Sequence, residues 1–181
     1  CIFFFYGDLS LEMHLDFIYK NALKGVEKLS PLEKIPKQKR FEKPLVKQGF
    51  YPAAEGQDFV SLSWLTTSAD NQEDALALAV LDSVLMETDA SPLKHALLKS
   101  ELCTQADGYL DTEMSEIPYV IICRGCKEKS GDAIKELVFK TLEEICAQWI
   151  PESLVEAAIH QLEFSRLEIT GDYGPFGLTL F

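Results

Sequence analysis

Phe59-Val60-Ser61-Leu62-Ser63-Trp64-Leu65-Thr66-Thr67 is the stretch on which the fold turns. Val60, Leu62 and Trp64 alternate with Ser61 and Ser63, and this period of two marks a strand with one face buried and one face wet. Downstream, Asp70 or Ser68 offers an N-cap, and Glu73 and Asp74 suit the positive end of a helix dipole. The apolar side chains Ala75, Leu76, Leu78, Ala79, Val80, Leu81, Val84 and Leu85 surround most of that helix, the pattern of one buried among neighbours. Ser91-Pro92 starts a second, shorter helix with Ser as cap and Pro in the first turn.

Further along, weak strand character at Thr104–Thr112 precedes a clearer strand at Tyr119–Cys123. Ser130 then opens a helix carrying Ile134, Leu137, Val138, Leu142 and Ile145 on one face. Pro151 opens another, with Leu154, Val155, Ala158, Ile159 and Leu162, before Gly171, Gly174, Pro175 and Gly177 break it. Upstream, Ile2-Phe3-Phe4-Phe5-Tyr6 reads as a central strand, Ser10 caps a helix running to about Leu23, and Leu45–Tyr51 reads as a strand. The order β-α-β-β-α-α-β-β-α-α predicts an α+β fold, an antiparallel sheet with helices packed on one face.

Composition narrows the function classes. The 181 residues are 47% hydrophobic, enough for one self-sufficient core, and mean hydropathy is near zero. No run approaches the length of a membrane helix. Seventeen basic against 29 acidic residues give a net charge of −12, which speaks against nucleic acid as a partner. Leu29 to Lys47 departs from the rest. It holds Pro31, Pro36 and Pro44 with Lys34, Lys37, Lys39, Arg40, Lys43 and Lys47, so residues 29–44 are expected to form a long, basic surface loop. Five irregularly spaced Cys do not make a disulfide framework and favour a reducing compartment. Residue 1 is Cys, and Gly177-Leu178-Thr179-Leu180-Phe181 is apolar, so the expectation is one domain, 1–181, excised from a longer protein.

A helical zinc site needs two His one turn apart with a carboxylate between them, and none of His14, His95 and His160 has a His four residues on. His160-Gln161-Leu162-Glu163-Phe164 follows H-x-x-E-H for four letters and then places Phe at the second ligand. Cys123-Arg124-Gly125-Cys126 has the spacing of a redox dithiol. It ends a strand rather than opening a helix, which favours two small apolar fillers. There is no G-x-S-x-G, P-loop or dinucleotide-binding glycine pattern, and Glu143-Glu144 fits a solvated helix face.

Several stretches in one order resemble a known family. Phe4-Phe5-Tyr6-Gly7-Asp8-Leu9, Ser63-Trp64-Leu65, Asp89 to Ser100 (D-A-S-P-L-K-H-A-L-L-K-S), Glu156-Ala157-Ala158, Glu163-Phe164-Ser165 and Gly177 to Leu180 are similar to the second domain of presequence-protease-like metallopeptidases, in the pitrilysin/insulinase superfamily. The resemblance implies an antiparallel sheet backed by helices. It places zinc and its ligands in the preceding domain of the parent protein, leaving this chain without catalytic residues or a metal of its own. It implies a non-catalytic, chamber-forming and peptide-binding part of an intracellular zinc endopeptidase, in a bacterial cytoplasm or an organelle matrix. The alternative is a catalytically inactive, processing-peptidase-like scaffold subunit. Implied partners are unfolded peptides and other domains of the same chain, with neither nucleic acid nor membrane. In relatives the strand after the S-P-L helix pairs by main chain with the substrate, which by position is Ala106-Asp107-Gly108-Tyr109. Strand addition suits broad specificity because main-chain groups are common to all sequences. Gly108 would let a peptide backbone come close. Many relatives place several glycines there, and this chain has one.

Overall fold

The computed structural model describes residues 3–27, 36–52 and 58–167. The chain divides into two compact units, residues 1–36 with 165–181, and residues 37–164. In the first, Ser10 caps helix α1 (Leu11–Ile18) as its sequence predicts, its hydroxyl accepting from the Met13 N–H, and a π-helical turn continues to Leu23. Phe5 stacks on His14 at 4.0 Å. The expected strand at Ile2–Tyr6 is not found over its described part. Phe3–Tyr6 is irregular and its side chains are exposed; an apolar run gains from burial but does not by itself fix a strand.

The second unit contains the sheet. Strands β1 (Asp58–Ser68), β2 (Gln105–Leu110) and β3 (Glu116–Cys126) pair antiparallel in the order β1-β3-β2. Around them lie α2 (Gln72–Met86), α3 (Pro92–Lys99), α4 (Gly131–Gln148) and α5 (Glu152–Leu167). The alternation in β1 has the meaning its sequence suggests. Val60, Leu62 and Trp64 join Tyr119, Ile121, Cys123 and Ala106 on the helix side, against Leu85, Leu93, Leu97, Ile134 and Val138. Phe59, Ser61 and Ser63 point the other way and are exposed. Trp64 stacks on Tyr119 at 6.2 Å and meets Phe139 edge-on at 6.1 Å.

Three local expectations change. Helix α2 is capped by Asn71, whose side chain accepts from the Asp74 N–H, rather than by Asp70 or Ser68. Its apolar girdle is buried only in the last turn, Ser83 to Met86, while Leu76 and Leu81 are exposed. Leu45–Tyr51 forms no strand, and Val46 and Phe50 are almost fully exposed. The predicted loop falls partly outside the described residues. Its part from Pro36 to Pro44 is irregular and exposed. The breaks at Gly171 to Gly177 also lie outside.

Since Ile121 is wholly buried on the central strand, Ile121→Ala should cost about 2–5 kcal/mol in chemical denaturation. Ser63→Ala, opposite Val120 on the neighbouring strand and on the open face, should change stability by less than about 0.5 kcal/mol.

Candidate functional site

The four residues expected to meet a peptide all lie on β2, which among the described residues pairs only with β3. The register decides which main-chain groups face outward. The Asp111 N–H donates to the Pro118 carbonyl, and residues facing a partner strand alternate with residues facing away. Asp107 and Tyr109 therefore turn their N–H and C=O toward β3, and Ala106, Gly108 and Leu110 turn theirs to the edge. These three are not equally open. Ala106 is completely buried, whereas Gly108 and Leu110 are partly exposed. Helix α3 lies against β2, and its Lys94 is mostly shielded, 3.8 Å from Asp107 and 3.8 Å from Asp89. The accessible stretch is thus Gly108–Leu110.

Asp107 and Tyr109 project from the open face of the sheet. Asp107 pairs with Arg124, its diagonal neighbour on β3, and this tie braces β2 against β3 across the open face. Tyr109 is half exposed. Gly108 has a role that its sequence did not disclose. A Cβ there would overlap the Asp82 carboxylate of α2 and crowd Met86, so the glycine admits the helix as well as leaving the edge slim.

That carboxylate is unusual. Asp82 Oδ1 and the Tyr119 hydroxyl are buried near each other, short of full hydrogen-bond geometry. Burial holds the Asp82 carboxyl above its ordinary value; the Tyr119 hydroxyl opposes this and the Glu87 charge adds to it. Burial, reinforced by the Asp82 charge, likewise raises the Tyr119 phenol. The sequence alone does not single out Asp82. A lone Asp on a helical face looks like any solvated acid until the strand beneath it is known.

The other candidates can be placed plainly. Cys103, Cys123 and Cys126 are free and buried, and burial raises all three thiols, which makes them poor nucleophiles. The Cys126 thiol donates to the Cys123 carbonyl at 3.2 Å, and Gly125 between them has φ +61° with Thr104 packed where a side chain would go. These thiols fill the end of the core. His160 is exposed and its nearest acid is Glu163, 3.5 Å away on the same helix. His14 stacks on Phe5, and His95 lines a groove of about 350 Å³ between α3 and α4 with Leu137, Lys140 and Ile145. Among the described residues no three His, Cys, Asp or Glu side chains converge on a point that would hold a metal ion. Among the described residues the donor set does not fit zinc.

Sequence comparison gives the lineage of this arrangement. Residues 1–162 match the profile of the peptidase M16 inactive domain. The chain belongs to this family. Relatives include the mitochondrial presequence protease of Xenopus laevis, 29% identical over 98% of this chain, and protein HypA of Clostridium perfringens, 29% identical over 96%. A presequence protease of Arabidopsis thaliana is 30% identical over 81%. The chain spans 18% of the first two and 14% of the third. Among solved structures, the inactive peptidase domain of a Bordetella parapertussis protein described as a zinc protease shares the fold. Its TM-score is 0.58 at 17% identity, covering 67% of this chain and 66% of that one. This M16 inactive domain is therefore an α+β domain of a peptidase family, and among its described residues no helix is long and apolar enough to cross a membrane.

The buried carboxylate makes a pH prediction for this M16 domain. Asp82 holds its proton more tightly when folded than at its ordinary value of 3.8, so ionisation costs stability as pH rises through that window. Asp82→Asn should raise the urea midpoint at pH 7, and the gain should vanish once pH falls below 3.8, where the acid is neutral in both states. A lower midpoint at pH 7 would show instead that the ionised group is held by a favourable contact.

Proposed function

We propose that this M16 domain is a non-catalytic, chamber-forming and peptide-binding part of a zinc metalloendopeptidase that degrades unstructured oligopeptides inside the cell. The metal and the bond-cleaving chemistry would belong to another domain of the same protein. Family membership supports the peptidase context, and the presequence proteases among the relatives support a peptide as the ligand. The observation that carries the binding role is the outward main chain of β2 at Gly108 and Leu110. An extended peptide placed alongside would find a donor and an acceptor at each, without regard to its own side chains.

On this reading the domain contributes affinity and alignment, not chemistry. An added strand loses its conformational freedom on one side of β2, and its far edge stays free for handling by other parts of the enzyme. The exposed main chain is short because α3 closes the Ala106 end, so each site holds few residues and the affinity of this domain alone is expected to be modest.

Backbone methylation gives a direct test. Extended peptides N-methylated on the alternate amides that face β2 should lose binding by roughly tenfold or more, whereas the same peptide methylated on the other set should bind as the parent does. Isothermal titration with the chain reads both. Equal binding by the two methylated peptides would rule out strand addition. In the protein, Leu110→Pro should weaken the parent peptide by a similar factor, since it removes an outward N–H while leaving the β2–β3 ladder intact.

A further inference from the structure

Residues 37–51, upstream of β1, carry a surface that the peptide reading does not use. Lys37, Lys39, Arg40, Lys43 and Lys47 stand against one acid, Glu42, in a chain whose net charge is −12. All five cations are exposed and none meets an acid among the described residues, whereas Lys20, Lys94, Arg124, Lys129 and Lys140 each do. Between and beyond the cations lie large apolar side chains that the fold leaves in water. Phe41 is 67% exposed, Val46 87% and Phe50 90%, with Leu45 beside them at 59%. The backbone there is irregular and lies outside the sheet. At its end, Tyr51 packs on Phe59 of β1 at 5.6 Å, which ties the segment to the folded body.

One partner has to answer both the charge and the apolar surface. Single-stranded nucleic acid would match the cations and stack on Phe41 and Phe50, but its bases offer nothing to the aliphatic Leu45 and Val46. An acidic peptide would answer the cations alone. The interface of an anionic bilayer supplies both, charged headgroups for Lys and Arg and the acyl boundary for the aromatic and aliphatic side chains. An irregular backbone is tolerated at that depth because the headgroup region is wet. Repulsion from the acidic remainder of the chain is screened beyond about 8 Å at physiological ionic strength, so the segment's own charge governs close contact. We propose that residues 37–51 dock this domain on an anionic lipid surface, with Lys39, Arg40 and Lys43 supplying the attraction and Phe41 and Phe50 entering the interface. The inference is independent of strand addition and departs from the membrane-free partnership that the family resemblance implied.

Vesicles of phosphatidylcholine, alone or mixed with phosphatidylserine, are the probe, and co-sedimentation gives the partition coefficient of the chain. The mixed vesicles should bind it more strongly than the neutral ones by roughly 100-fold or more. Lys39→Gln/Arg40→Gln/Lys43→Gln should lower partition onto mixed vesicles by roughly 100-fold, at about fivefold per cation. Lys127→Gln/Lys129→Gln/Lys135→Gln changes the net charge equally at exposed positions outside the segment, and should stay within about twofold of the parent chain. Entry into the interface is read with Phe50→Trp. Brominated phosphatidylcholine in the mixed vesicles should quench its fluorescence more than that of the parent chain, whose Trp64 and Trp149 lie outside the segment. Equal partition onto both kinds of vesicle, no partition onto either, or equal losses in the two triple variants would overturn the inference. So would a Phe50→Trp chain that binds unquenched, or release of the bound chain by single-stranded polythymidylate, which would assign the segment to nucleic acid instead.

Discussion

Strand β3 holds the second unit together because, among the described residues, it alone has a neighbour on each side. Its odd-numbered residues Ile117, Ile121 and Cys123 are buried, and α2, α3 and α4 supply Leu85, Leu97, Ile134 and Val138 to the same core. That single burial event orients everything else. With the helix side of β3 fixed, β1 and β2 must present their own alternate residues to the helices, and among the described residues each pairs along one edge only. An edge at β2 is thus a consequence of how the core is built. The fold needs no added feature to make it available.

The strongest patterns in the sequence proved to be those that burial enforces. Val60, Leu62 and Trp64 were readable as one face of a strand because a half-buried sheet demands the alternation, and the helices at 92–99, 131–148 and 152–167 follow their apolar spacing. The start of β3 was less visible, since Pro118 lies inside it. The structure explains the tolerance: the missing N–H points toward β2 beyond its last residue, Leu110, where no carbonyl of the strand awaits it. The cap of α2 slipped by one residue because Ser68, Asp70 and Asn71 all carry capping side chains, and only the turn after β1 selects Asn71. Phe3–Tyr6 and Leu45–Tyr51 mislead for a different reason. Apolar content says that a segment would gain from burial, but does not by itself fix it as a strand.

The candidate site shows the same division. Position along the chain was enough to find β2, because the family order of motifs runs through it. The chemistry around it was not legible, because it depends on contacts between residues far apart in sequence. Gly108 is small in order to admit Asp82, 26 positions earlier, and Ala106 is closed off by α3. Cys103, Cys123 and Cys126 are buried, and His14, His95 and His160 lie on three different helices. What the described residues present is a main-chain edge at β2, a brace between Asp107 and Arg124, and the Asp82 carboxylate set against Gly108.

Amide hydrogen exchange, resolved residue by residue by NMR, measures that edge most directly. The account predicts alternation along β2 in the free chain, with slow exchange at Asp107 and Tyr109 and fast exchange at Gly108 and Leu110, followed by slowing at Gly108 and Leu110 alone when a neutral extended peptide saturates the chain. Uniformly slow exchange along β2 in the free chain, or saturation that leaves Gly108 and Leu110 unchanged, would contradict it.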